Sequence, residues 1–395
     1  MNSIQTHRVN DNASYSFFST DAGCDEVFVT LQTTSGISPA QALDELNSLY
    51  SEVLASAKLS NDTVLFSRLF VSDSINQQDA IRASQLCNRL KLGALSVIEQ
   101  KPAGSGPLSL FSYHIRKGPG ALEKKIFGYG AEDWNNALLA TGKHYNLLMT
   151  AQFTSDAPFD AYRQTCGIFN DIDTHLKRNA MNLIGSTIRT WIFVRDIDNH
   201  YKNMVAARRE YFTAQGLTDK TRYLASTGIE GKTFVPGRIV DIDALSFGGL
   251  VPGQIVRIEA PTHLSPTIVY GVTFERGLRV RFGDRSHLYI SGTASINNKG
   301  EVLHSGNVEE QTKRTLENLR ALLAPHRASL SDMAYLLVYV RNFHEIEMVK
   351  NALREEIGDT MPVIFAEAGV CRPAWLMEIE GVAIIPDSTE FPPFL

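Results

Sequence analysis

Three short segments of this 395-residue chain match one another: Phe70-Val71-Ser72-Asp73, Phe193-Val194-Arg195-Asp196 and Tyr339-Val340-Arg341-Asn342. Each ends a run rich in β-branched, aromatic and leucine residues (VLFSRLFV, STIRTWIFV and AYLLVYV), the composition of a strand. The flanks repeat as well. A helical pattern precedes each strand, beginning at Pro39, at Pro158 and near Val308. In the third copy Val308, Thr312, Leu316, Leu319 and Leu323 fall on one face, and Glu309, Lys313, Glu317 and Arg320 on the other. Ser38-Pro39 reads as an N-cap followed by a proline at the first helical position. A second helical segment follows each strand (INQQDAIRASQLC, DNHYKNMVAARREYF and HEIEMVKNALREEI), and two further β-like runs follow that. A repeat of this size restricts the chain to tandem copies of one compact unit.

The expected unit is a strand, a hairpin, a helix, a strand, a helix and two more strands, so that two amphipathic helices cover one sheet. The hairpin is clearest in LYISGTASINNKGEVLH, where Asn298-Lys299-Gly300 supplies the turn. NLLMTAQF and EVFVTLQT are the corresponding strands of the second and first copies. The expected fold class is therefore α+β, built from three tandem α/β units over residues 1–120, 121–248 and 249–395. The Gly/Pro-rich stretch Lys117–Gly120 marks the first boundary.

Hydrophobic residues make up 44% of the chain and charged residues 21%, enough to build a packed core. The net charge of −5 argues against a nucleic-acid partner, because phosphate binding needs concentrated Lys and Arg. The run Ala206-Ala207-Arg208-Arg209 reads as a solvated helix face rather than a basic patch. Cys24, Cys87, Cys166 and Cys371 form no CxxC pair and have no zinc-like spacing with His, which points to a reducing, cytoplasmic setting. The N-terminus has no apolar core of a signal peptide, and no run approaches 18 apolar residues, so no membrane contact is expected. Ser226–Thr233 nearly spells a phosphate-binding loop. It lacks the first glycine, and Phe-Val-Pro-Gly follows where a helix is needed.

The third copy resembles the Rid family, the deaminases of reactive enamines and imines also called endoribonuclease-like. The resemblance rests on SGTASINNKGEVLHSGNVEEQTKRTLENLRALL, LVYVRNFHEIEMVKNAL and the closing MEIEGVAI, within residues 285–388. That family forms trimers with sites at subunit interfaces. The resemblance therefore implies a trimer fused into one chain, present as a monomer or a homodimer. Within this superfamily the chain is most similar to the chorismatase branch, which hydrolyses chorismate. That likeness rests on Val370–Gly381, Ser291–Ser295 and Tyr339-Val340-Arg341, and upstream on Arg189-Thr190-Trp191 and Thr227-Gly228-Ile229. The first 120 residues are an addition to that pattern.

What the resemblance implies about chemistry is specific. Chorismate carries two carboxylates and an enolpyruvyl ether, and hydrolysing the ether needs a proton delivered to its methylene carbon. One carboxylic acid of raised pKa suffices, with no metal or organic cofactor. Glu378 and Glu380 lie two apart on an expected strand and so share a face. The resemblance places the acid at Glu378 and a thiol beside the substrate ring at Cys371. Arginines suit the carboxylates because their fork matches two oxygens. Arg341 is the first candidate, Arg372 the second and Arg276 the third. Tyr270 is a candidate hydrogen-bond donor, and the small Ala294 bears on which product forms. The products implied are pyruvate with a hydroxybenzoate or a dihydroxycyclohexadienoate.

Two other readings stay open. Rid deaminases carry an arginine in a Pro-x-Arg setting, where this chain has Pro362-Val363-Ile364. In the second unit Thr221-Arg222 stands at the corresponding place, so Arg222 is the candidate for an imine deaminase. The third reading is a protein that holds a small carboxylate between units without catalysis. The first unit lacks an acidic strand like Glu-Ile-Glu and reads as a scaffold.

Overall fold

The β-like runs do form strands, and they assemble the same way three times. The computed structural model describes residues 3–395 apart from 22, 104–105, 119–121, 129–133 and 158, and apart from the side chain of Tyr270. The first sheet holds β1 (Gln5–Asn10), β2 (Ala13–Phe18), β3 (Cys24–Gln32), β4 (Val64–Val71), β5 (Ala94–Glu99) and β6 (Leu108–Lys117). The second holds β7 (Glu123–Gly128), β8 (Asn136–Thr141), β9 (Asn146–Phe153), β10 (Thr187–Val194), β11 (Ala225–Glu230) and β12 (Val240–Gly248). The third holds β13 (Ile255–Arg257), β14 (Gly277–Arg281), β15 (Arg285–Thr293), β16 (Met333–Val340), β17 (Val363–Glu367) and β18 (Met377–Pro386). Their spatial orders are β1-β2-β3-β6-β4-β5, β7-β8-β9-β12-β10-β11 and β13-β14-β15-β18-β16-β17, one mixed topology in three copies. In each, only the last pair is parallel: β4 with β5, β10 with β11, and β16 with β17.

Helices α1 (Pro39–Ser56), α2 (Ser74–Ala83) and α3 (Gln85–Leu90) belong to the first unit; α4 (Ala161–Arg178), the one-turn α5 (Leu183–Ser186) and α6 (Ile197–Ala214) to the second; α7 (Val308–Leu323) and α8 (Ile346–Ile357) to the third. Ser38 and Gln41 form a capping box on α1, whose first residue is Pro39. Asp160 caps α4, and the expected start at Pro158 lies outside the described residues. Every apolar position expected on the inner face of α7 is buried. The expected hairpin around Asn298-Lys299-Gly300 is corrected: it shrinks to one bridge between Ile296 and Val302, and β15 pairs instead with β14 and β18. Adjacency in sequence suggested a hairpin, but the β18 edge offers a longer apolar ladder.

Each sheet turns one face to its helices and the other to its two neighbours. Where the three meet, aromatic rings from different sheets pack together: Phe66 with Trp191 at 6.3 Å, and Phe111 with Tyr335 at 4.3 Å. A small space of about 40 Å³ remains among them. Each junction also carries a buried arginine–carboxylate pair. Arg68 meets Asp243 at 2.6 Å between the first and second units, Arg189 meets Glu380 between the second and third, and Arg285 meets Glu26 at 2.8 Å between the third and first. Among the described residues no helix is long and apolar enough to cross a membrane.

Candidate active site

A cavity of about 460 Å³ opens at the junction of the second and third units. One wall is α6 and the outer edge of β11, giving Tyr201, Arg208, Arg209, Ser226, Thr227 and Gly228. The other comes from the third unit: Gly271, Phe274 and Arg276 ahead of β14, Gly292 and Ala294 at the end of β15, and Cys371, Arg372, Trp375 and Glu378 leading into β18.

The acidic pair sits on β18, on the face that meets the second unit. Glu380 is fully committed there. Its carboxylate accepts from Arg189, from the Thr227 hydroxyl and, at 2.9 Å, from the Tyr339 hydroxyl. Glu378 is 4% exposed and faces the cavity. Burial is the main cause that pushes its carboxyl up to about 8, and the charge of Glu380 adds to it; Arg189 and Arg276 pull the other way. At neutral pH Glu378 is thus mostly a neutral acid, while Glu380 is taken up by its hydrogen bonds and by Arg189. Gly292 makes room for the acid, since a Cβ there would run into Glu378 Oε1. A bulge in β15 between Ile290 and Thr293 brings this glycine opposite the Glu-Ile-Glu strand.

The cationic side is built around Arg208, which is 1% exposed. Its Nε donates to Thr273 Oγ1 at 3.3 Å and its Nη1 to Ser226 Oγ at 3.4 Å, while Nη2 is buried with no hydrogen-bond partner among the described residues. No carboxylate pairs with it among the described residues, and burial lowers its pKa. A buried guanidinium without a counter-ion is costly unless an anion joins it. Arg276, also buried, donates from Nε and Nη2 to the Ser265 carbonyl and lies 5.7 Å from the Phe274 ring centre. Arg372 stacks over Trp375 at 4.9 Å. Tyr201 hydrogen-bonds to both Arg208 and Cys371. Burial pushes the Cys371 thiol up to about 12, with Glu378 contributing, so it stays protonated.

The cavity thus gathers Glu378, Cys371, Arg372, Arg276 and Ala294 from the expected set. It does not gather Arg341, which lies outside the lining. That guanidinium spans Asp198 at 3.0 and 3.1 Å and the Val370 carbonyl, linking the third unit to α6. Arg222 is likewise placed elsewhere: it donates to the carbonyls of Ile184, Thr187 and Tyr223, closing the end of α5. The side chain of Tyr270 lies outside the described residues. One expectation is corrected. The run Ala206–Arg209 is not a solvated face, because Ala207 and Arg208 are buried. Tyr201, Met204 and Arg208 recur at helical spacing on α6, and that signal was available in the sequence.

Residues 280–385 match the family described as Endoribonuclease L-PSP. The chain is 27% identical over 223 residues to a 3-hydroxybenzoate synthase of Streptomyces hygroscopicus, covering 50% of this chain and 64% of that protein. It is 26% identical over 224 residues to a chorismatase of Streptomyces rapamycinicus, with the same coverage of each. It therefore spans less than two thirds of the length of these curated relatives. Among solved structures, a chorismatase crystal structure superposes with a TM-score of 0.62 and 17% identity, covering 90% of this chain and 98% of that one. At that identity the likeness is one of fold. Residues 280–385 thus carry an L-PSP-type unit, and the chain as a whole has the chorismatase fold, three units of one topology fused in one polypeptide.

Proposed function

We propose that this protein hydrolyses the enolpyruvyl ether of chorismate, or of a close dicarboxylate relative, at the cavity between its second and third units. The observation that carries the reading is the pairing of a buried, neutral Glu378 with arginines on the facing walls. A dianionic substrate needs the arginines, and a vinyl ether needs the acid. Arg208, Arg276 and Arg372 would hold the two carboxylates, and Arg208 gains the partner that its Nη2 lacks. The expected clamp role of Arg341 is replaced in this reading by Arg208, because Arg341 is occupied by Asp198.

The chemistry follows in three steps. Glu378 gives its proton to the terminal methylene carbon, and the ether oxygen shares the positive charge as an oxocarbenium ion. The ion is held between arginine-bound carboxylates, with the new Glu378 carboxylate beside it. Water adds to the cationic carbon and returns a proton to Glu378, and the hemiketal collapses to pyruvate and the ring alcohol. Glu378 acts as the acid because its resting form at neutral pH carries the proton. Cys371 begins as a neutral thiol beside the ring. In this reading it assists loss of water from the ring, so its replacement changes the ring product but not pyruvate release.

The test is incubation of the purified chain with chorismate, with enzymatic assay of pyruvate and chromatography of the ring product. Pyruvate with 3-hydroxybenzoate supports the reading and the role of Cys371. Pyruvate with a non-aromatic diol supports hydrolysis and reduces Cys371 to packing. Absence of pyruvate at high enzyme concentration removes the reading and leaves a carboxylate-binding protein. The kinship of the chain to a 3-hydroxybenzoate synthase and a chorismatase supports chorismate as the first substrate to try.

A further inference from the structure

The site just described has a counterpart at the junction of the first and second units, and the register of the sheets identifies it position by position. In the third sheet Tyr339 pairs with Glu378 and Leu337 with Glu380. In the second sheet the matching pairs are Phe193 with Asp241 and Trp191 with Asp243. Asp241-Ile242-Asp243 thus stands where Glu378-Ile379-Glu380 stands. The inner carboxylate is paired with an arginine of the preceding unit in both cases: Asp243 with Arg68, Glu380 with Arg189. A bulge lies opposite in both, at 291–292 in β15 and at 151–152 in β9. The register puts Gln152 where the open site has Gly292. In the first sheet, β3 and β6 pair without a bulge, and Ser109 and Phe111 occupy the carboxylate places.

We propose that this second junction is a ligand site of the same construction, held shut by the chain's own Gln152, whose carboxamide binds as a small primary amide or carboxylic acid would. Gln152 is 1% exposed and has φ 58°, in the left-handed region, so its backbone is bent to deliver this side chain. Its Oε1 accepts from Val97 N–H at 2.6 Å, and its Nε2 donates to the Val97 carbonyl at 2.8 Å, to Thr233 Oγ1 at 3.0 Å and to Asp241 Oδ2 at 3.0 Å. The two Val97 bonds read the edge of β5 as an added strand would. Asp241 Oδ1 remains buried with no hydrogen-bond partner among the described residues, so the carboxyl that meets Gln152 keeps one oxygen unused. The corresponding edge in the open site is that of β11. There Ser226 N–H meets Ser291 Oγ at 2.9 Å and Glu230 N–H meets the Gly369 carbonyl at 2.9 Å, as Leu95 N–H meets Asn136 Oδ1 and Glu99 N–H meets the Lys232 carbonyl in β5. Gly228 stands at the position of Val97 and lines the open cavity. The self-bound carboxamide therefore marks the Gly228 main-chain edge as a carboxyl-binding element of the open site, a corollary that rests on the function proposed above. The closed site itself does not rest on it.

The test removes the plug and supplies it from solution. Gln152→Gly keeps a residue at ease with positive φ and leaves a space the size of propionamide, which is the missing side chain. The full-length variant should melt several degrees below the wild type. Propionamide should recover at least half of that loss and bind with one-to-one stoichiometry by calorimetry, with no such gain for the wild type or for Gln152→Met, which fills the space without the amide. Equal effects of propionamide on all three proteins, or no drop in Tm for Gln152→Gly, would overturn the proposal. Should Gln152→Gly fail to fold, Gln152→Ala with acetamide reads the same site, and absence of rescue there counts against it equally. Activity toward chorismate is not a readout here, so failure of the proposed function leaves this result intact.

Discussion

The behaviour of Glu378 follows from what surrounds it. Replacing it with Gln keeps shape and removes the proton donor, so pyruvate release should fall by about 100-fold or more, within the range for loss of a general acid. The same change should alter stability with a defined sign. The folded-state pKa of about 8 lies above the ordinary carboxyl value of 4.5, so the folded chain holds the proton over that window and the unfolded chain does not. The stabilising contribution of the neutral form is complete below about 4.5 and is lost as pH rises through 8. Glu378→Gln should therefore be more stable than the wild type at pH 8–9 and about equal at low pH, read from urea midpoints. At Arg208 the expectation reverses. Arg208→Leu should weaken substrate binding by about 10- to 100-fold, the equivalent of one charge-assisted hydrogen bond, with Tm unchanged or raised because an unpaired buried cation is gone. A fall in Tm with unchanged KM would remove Arg208 from the binding set. Glu378, Cys371, Arg372, Arg276 and Ala294 were legible in the sequence because family motifs carry them. Arg208 was legible only as a position on the buried stripe of α6, because spacing alone does not separate a buried arginine from a surface one until the partner wall is known.

At the scale of elements, the bulge in β15 does what the flat strand β3 does not. It turns Gly292 beneath the Glu-Ile-Glu strand and leaves a hollow for the acid. Gly292→Ala should push the Glu378 carboxyl aside, lowering kcat more than it raises KM, with little change in Tm because the displaced atom is the end of a flexible side chain. An unchanged kcat would mean that the hollow has slack. Strands and helices were readable from periodicity nearly throughout: VLFSRLFV is β4 residue for residue, and Ser38-Pro39 opens α1 as capping chemistry demands. Register was not readable. The segment after β15 looked like the second arm of a hairpin because a turn sequence sits there, yet β18 offers that strand its long ladder, and only the packed sheet decides between them. The same blindness to register hid Asp241-Ile242-Asp243, whose likeness to Glu378-Ile379-Glu380 becomes visible once the strands are paired.

Over the whole molecule, three repeats make three junctions, but their side chains give each a different fate. One is open and acidic, one is filled by Gln152, and one has serine and phenylalanine in place of the acids. Each is pinned by its own buried arginine–carboxylate pair, so the units should unfold together. Arg285→Ala, which strands Glu26 beside His287, should cost about 3–5 kcal/mol in a single cooperative transition. Two separated transitions would show that the units stand alone. Three tandem copies were legible from the Phe-Val-Ser-Asp, Phe-Val-Arg-Asp and Tyr-Val-Arg-Asn matches. Which junction holds the chemistry was only half legible, because a site shared by two units is written in two distant stretches of chain. The acid role of Glu378 is read from the rate of pyruvate release from chorismate by the wild type and by Glu378→Gln, across a pH series from about 6 to 9.5. A wild-type rate that holds to near pH 8 and then falls about tenfold per pH unit, with a flat and residual rate in the variant, is the predicted result. A variant that releases pyruvate at the wild-type rate, or a wild type that releases none, contradicts it.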